Sequence, residues 1–148
     1  YHVSTLESIG CKIKFIKTVP PHYNIDFDYL SSAVTDKTKA ILICNPSNPS
    51  GKVYTKDELT KISEIVNKNN LVLFSDEMYE HFIYDDLEYT SALSIDGLKD
   101  KTVVISGFSK IYSVTGWRLG YAISTKEVID SASSLNDLVY VCPPAPLQ

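Results

Sequence analysis

Residues 40–76 read AILICNPSNPSGKVYTKDELTKISEIVNKNNLVLFSD, and the change of pattern within this stretch decides the fold. Ala40-Ile41-Leu42-Ile43-Cys44 is a short unbroken apolar run, and Leu71-Val72-Leu73-Phe74 is a second. Such runs are the signature of strands buried on both faces. Between them Thr55 and Glu58 have the spacing of a capping box. Leu59, Ile62, Ile65 and Val66 recur at helical intervals, and Asn69-Asn70 supplies a stop. Strand, helix, strand at this spacing is a βαβ unit. Two parallel strands need such a crossover, so the expected fold class is α/β, a mostly parallel sheet with helices on both faces.

Downstream, Val103-Val104-Ile105 is a third apolar run. Residues 117–124 read as a further strand and 126 to about 139 as a further helix. Residues 79–90, rich in aromatics and acids, read as a helical turn leading into a surface loop. Upstream, Ser4 and Glu7 have capping-box spacing for a short helix that Gly10 would close. Residues 12–18 alternate as a strand does, ended by Pro20-Pro21, and Phe27, Leu30 and Val34 share one face of a helix over 26–34.

The composition limits the class of protein. The chain has 148 residues, 44% hydrophobic and 22% charged, which is ordinary globular usage and suits one domain. No apolar run approaches a membrane span. A formal charge of −4 gives no electrostatic reason to expect nucleic acid. Cys11, Cys44 and Cys142 are odd in number and far apart, which fits a reducing compartment better than a disulfide framework or a metal site. Glu77, His81, Asp85 and Asp86 lack metal-ligand spacing and read as a solvated acidic loop, so no metal is expected. The chain opens on Tyr1 and closes on Pro143-Pro144-Ala145-Pro146-Leu147-Gln148 without a finished helix, and is expected to be a piece of a longer polypeptide.

Each apolar run leads at once into polar residues: Asn45 to Gly51, Ser75-Asp76-Glu77, and Ser106 to Lys110. In an open parallel sheet these groups gather at the carboxyl ends of the strands, where ligands bind. An Asn, an Asp and a Lys distant in sequence can therefore share one cleft. A lysine there can act as an amine nucleophile, a carboxylate can hold a protonated heterocyclic nitrogen, and Arg118 with nearby hydroxyls can grip phosphate. These are the groups pyridoxal phosphate needs. Taken singly, each has a plainer reading. Lys110 would be a surface residue, Asp76 a helix cap, Asn48 a turn former, Tyr79 a packing aromatic, and Arg118 one half of a surface ion pair.

At these residues the chain resembles the class I and II aminotransferases, the fold-type I pyridoxal-phosphate enzymes related to aspartate aminotransferase. NPSNPSGKVY (45–54) is similar to their NPxNPTG segment, with Ser50 where Thr is usual. SDEMYEHFIYD (75–85) is similar to their D-E-x-Y segment, and SGFSKIYSVTGWRLGY (106–121) to their lysine motif. The three occur in the family's order and spacing, and the resemblance runs over nearly the whole chain.

The resemblance implies a role for each residue. Lys110 would form the Schiff base with the cofactor aldehyde and, once released, move the proton between substrate and cofactor. Asp76 would pair with the pyridine nitrogen. Asn48 and Tyr79 would hydrogen-bond the cofactor's 3-oxygen, and Arg118 would bind the phosphate with help from Ser109. Gly107 stands where many relatives carry a Ser three residues before the lysine. The resemblance also implies that residues 1–148 are part of the cofactor-binding large domain. The phosphate loop, the ring-stacking aromatic, the substrate-carboxylate Arg and the partner subunit's Tyr would lie elsewhere. A cytoplasmic homodimer is expected, with an amino acid and a 2-oxo acid as substrates, no nucleic acid and no membrane, and the isolated 148 residues would turn nothing over. Two rivals share the three motifs: a C–S lyase or aminocyclopropane-carboxylate-synthase-like enzyme, and a non-catalytic sensor domain of a transcriptional regulator.

Overall fold

The structure, a computed structural model, describes residues 1–144. The expectation for the closing Pro-rich run falls, from Ala145 on, outside the described residues. The chain forms two compact units, Tyr1–Lys37 and Thr38–Gln148.

The first unit holds two short helices, α1 (His2–Ser8) and α2 (Phe27–Ala33). Two expectations are corrected here. Ser4 does not cap α1, because the helix begins two residues earlier with Tyr1 at its cap and the Tyr1 carbonyl accepting from Thr5 N at 3.0 Å. Gly10 does end the turn, at φ +83°, a conformation that costs glycine little. Residues 12–18 form no strand. Alternation supplies two faces, but a strand also needs a neighbouring backbone for its N–H and C=O groups, which alternation alone does not provide. α2 matches its reading: Asp26 caps it through Tyr29 N at 2.9 Å, and Leu30 is buried.

The second unit carries a four-stranded sheet of β1 (Ala40–Cys44), β2 (Val72–Asp76), β3 (Thr102–Gly107) and β4 (Gly120–Ile123), in the order β1-β2-β3-β4. β1, β2 and β3 are parallel and β4 runs antiparallel to β3. Helix α3 (Lys56–Lys68) is the β1–β2 crossover, and α4 (Lys126–Val139) follows β4. The fold is thus α/β with a mostly parallel sheet.

α3 shows why the crossover forms where it does. Glu58 N donates to Thr55 Oγ1 at 3.2 Å while Thr55 N donates to Glu58 Oε2 at 2.9 Å, the reciprocal bonds of a capping box. Leu59, Ile62, Ile65 and Val66 are all buried. Each such side chain contributes roughly 1.5–3 kcal/mol on burial, against about 1 kcal/mol for a cap. Packing therefore holds the helix, and the cap sets its first residue. At the other end Asn69 Nδ2 donates to the Ile65 carbonyl at 2.8 Å, and Asn70 turns left-handed at φ 50°.

Burial of the strands is uneven. The register places Ile43, Ser75 and Val104 on one face, and all three are buried. On the other face Leu42 and Val72 are each 37% exposed. Only β3 is buried along nearly its whole length. The last strand is shorter than the sequence suggests. Residues 115–117 form a 3-10 turn, and Arg118 adopts φ 55°, ψ 39°, so an extended backbone cannot begin before the residues that follow.

Candidate active site

The loops that leave β1, β2 and β3 at their carboxyl ends meet around one open cavity of about 630 Å³. Asn48, Tyr79, Ser109 and Lys110 all line it, together with Ser113 and Thr115.

The first loop is a tight reversal after β1. Gly51 N donates to the Ser47 carbonyl at 2.7 Å, and Ser47 N donates to the Lys52 carbonyl at 2.8 Å. Gly51 sits at φ +72° with nothing within 4 Å of the place a Cβ would take, so glycine is needed for its backbone conformation. This reversal presents Asn48, whose Nδ2 donates to the Tyr79 hydroxyl at 2.9 Å. The bond crosses from the first loop to the second and leaves the phenolic proton to be donated elsewhere. The second loop opens with turns in which Glu80 N donates to the Glu77 carbonyl at 3.0 Å and Phe82 N to the Tyr79 carbonyl at 2.8 Å. The Tyr79 and Phe82 rings meet edge to face, 6.1 Å between centroids.

The third loop carries the amine. Lys110 lies three residues past the end of β3, in a turn closed by Tyr112 N to the Phe108 carbonyl at 3.1 Å, and it is exposed. Where β3 meets β4, Gly107 faces Gly120. A Cβ on Gly107 would stand 2.9 Å from the Leu119 carbonyl oxygen and 3.2 Å from Met78 Cε. Glycine at 107 is therefore a packing requirement at the point where the lysine loop leaves the sheet.

Two of the six expected site residues do not line the cavity. Asp76 ends β2, half-buried, with Cys44 and Ile105 as its register neighbours. Its Oδ1 accepts from Met78 N at 3.2 Å, an Asx turn and not a helix cap. Burial raises the Cys44 thiol pKa, a backbone hydrogen bond at Asn48 offsets part of that rise, and the Asp76 charge adds a lesser push upward. Arg118 is exposed, and its Nη1 donates to the Thr115 carbonyl at 2.8 Å. That bond ties it to a cavity residue, and its backbone N closes the 3-10 turn on the same carbonyl at 3.3 Å.

One reading is corrected. Glu77 does not belong to a solvated acidic loop; it is 1% exposed. Its carboxylate accepts from the Tyr89 hydroxyl, from Ser75 Oγ at 2.8 Å and from Ala92 N at 3.0 Å. Burial, reinforced by the hydrogen bond to Glu77, pushes the Tyr89 phenol pKa far up. The signal was present: Leu71, Leu73 and Ser75 point inward, and a period of two carries the same direction to 77. Asn45, just past the end of β1, is fully buried as well. Among the described residues, no group of three or more His, Cys, Asp or Glu side chains could hold a metal ion. No described helix is long and apolar enough to cross a membrane.

An amine, an amide-held phenol and hydroxyls around one cavity can bind a carbonyl compound, hydrogen-bond an oxyanion beside it and move a proton. The family model for "Aminotransferase class I and II" matches residues 1–148. The chain belongs to the class I and II aminotransferase family. An aspartate aminotransferase of Bacillus sp. (strain YM-2) is 41% identical over 140 residues, covering 91% of this chain and 36% of the relative. Among solved structures, N-succinyldiaminopimelate aminotransferase from Mycobacterium tuberculosis superposes with a TM-score of 0.92 at 32% identity, over 96% of this chain and 38% of that one. A double mutant of Thermus thermophilus aspartate aminotransferase gives 0.93 at 29% identity, over 99% and 38%. The chain spans about a third of the length of the curated aminotransferases it matches.

Proposed function

We propose that the full-length protein is a pyridoxal-phosphate-dependent aminotransferase that moves an amino group from an amino acid to a 2-oxo acid by alternating half-reactions. The observation that carries this reading is the convergence of Lys110, Asn48, Tyr79 and Ser109 on one cavity in a chain of this family. The cavity's donors fit the cofactor: an amine for its aldehyde, an amide–phenol pair for its 3-oxygen and hydroxyls for its phosphate, with Arg118 adjoining through Thr115. When bound, pyridoxal phosphate supplies an electrophilic aldehyde and an electron-withdrawing ring.

The chain's own residues do the rest. Lys110 would hold the cofactor through its Nζ and, when free of it, would take up the proton from the substrate's α-carbon. Its exposure on a turn beyond β3 gives it the freedom to do both. Tyr79, accepting from Asn48, would keep its own proton and direct it as a hydrogen bond to the 3-oxygen, which would favour that oxygen as an anion. Asp76 would keep the pyridine nitrogen protonated, and Arg118 and Ser109 would anchor the phosphate.

Several relatives are named aspartate aminotransferases, which favours aspartate as the amino donor. A homodimer in the cytoplasm belongs to the same reading through the family resemblance.

The test is reconstitution of the full-length protein with pyridoxal phosphate. A visible absorbance band and amino transfer from aspartate to a 2-oxo acid are expected, and Lys110→Ala is expected to lose both. A wild type without the band, or a Lys110→Ala variant that still turns over, overturns the reading. Release of pyruvate and ammonia without an oxo acid acceptor favours the lyase rival instead.

A further inference from the structure

We propose that Asn45 and Glu77, neither of which lines the cavity, are positioning residues that hold the Asn48–Tyr79 pair in place over it. The inference rests on the reading above, in which that pair faces the cofactor's 3-oxygen.

Asn45 is fully buried and uses both ends of its amide. Its Oδ1 accepts from Tyr54 N at 3.0 Å, where the first loop returns, and its Nδ2 donates to the Thr90 carbonyl at 3.1 Å, where the second loop returns. Its backbone N donates to the Asp76 carbonyl at 2.8 Å. One side chain thus joins the roots of both loops. Glu77 adds a second clamp on the same returning segment, through the Tyr89 hydroxyl and Ala92 N, and its own backbone N donates to the Ile105 carbonyl at 2.8 Å. The tips of the two loops then meet in the 2.9 Å bond from Asn48 to Tyr79.

Why polar clamps matter here is a question of direction. Apolar packing allows loops to slide, whereas a buried hydrogen bond left unmade is costly and fixes both distance and angle. Both loops are exposed at the cavity, so their position must be set from below. Asn45 and Glu77 are the buried polar groups that reach from β1 and β2 to those roots.

The experiment uses the full-length protein loaded with pyridoxal phosphate and reads the pH midpoint of the bound cofactor's visible absorbance. Tyr79→Phe is expected to raise that midpoint by about 1 pH unit, the size of one lost hydrogen bond to a charged oxygen. Glu77→Gln and Asn45→Ala are expected to raise it by about half a unit, and in a Tyr79→Phe background that rise should shrink by about half or more, because they act through Tyr79. Tyr89→Phe removes one hydroxyl while keeping the ring, and it carries the same expectation should the buried substitutions prevent folding. A lowered melting temperature with an unmoved midpoint, or a full rise in the Tyr79→Phe background, overturns the proposal while leaving the functional reading intact. A Tyr79→Phe midpoint equal to wild type overturns the assignment of Tyr79 to the 3-oxygen, and this proposal with it.

Discussion

Asn48 and Tyr79, 31 residues apart, meet side chain to side chain at 2.9 Å, and this bond brings the loops after β1 and β2 to a single point. Because the amide donates to the phenol, the phenol is committed as a donor toward whatever occupies the cavity. Replacing Asn48 by Ala should therefore weaken the tyrosine's hold on its ligand as well as remove the amide. A loss of about tenfold in kcat/KM is expected, equivalent to about 1.4 kcal/mol. Steady-state kinetics of the full-length variant checks it, and an unchanged kcat/KM would count against the assignment.

The crowding around Gly107 gives a second prediction. A side chain at 107 must displace backbone at Leu119, which has little freedom in the β3–β4 pairing. Gly107→Ser should destabilise the protein by about 1–3 kcal/mol, the usual cost of overpacking, and should not strengthen cofactor binding. Denaturant unfolding and a cofactor titration measure the two halves separately. A variant as stable as wild type would show that the hairpin gives way easily.

Tyr54 yields a dependence on pH. Its ring is buried beside Lys52, and its backbone N is bound to Asn45. Burial, then the Glu58 and Cys44 charges, push its phenol up to about 12. In the unfolded chain the phenol ionises near about 10. The folded state therefore favours the protonated ring. That contribution is complete below the unfolded value and is lost as pH rises through about 12. The stability of wild type minus that of Tyr54→Phe should fall by about 2–3 kcal/mol over this window. A difference that stays flat with pH would contradict the assignment.

A fourth prediction concerns the crossover helix. Thr55→Ala removes one of the two reciprocal bonds of the α3 cap and should cost about 1 kcal/mol. The site's spectroscopic properties should not change, since Thr55 lies beyond the loop that Asn45 secures.

Elements governed by local rules were legible in the sequence. The α3 cap, its buried stripe and the three parallel strands follow from spacing and propensity within a few residues. A parallel sheet brings every strand's carboxyl end to the same side, and Asn48 and Lys110 do line one cavity, while Asp76, expected with them, does not; Tyr79 and Ser109 were legible only through the family resemblance. What failed were features that depend on partners. The alternation at 12–18 is real, but a strand exists only beside another backbone. The start of β4 was misjudged because Trp117-Arg118 looks extended in composition, while Arg118 is left-handed. Glu77 looked solvated because acids cluster around it; its burial follows from the pleat of β2, a longer-range rule than charge.

The antiparallel pairing of Gly107 with Gly120 makes the lysine segment a closed omega whose two feet share one footing. Lys110 stands only three residues from one of those feet, so a slip of the 107–120 pairing by a single residue would carry the amine with it.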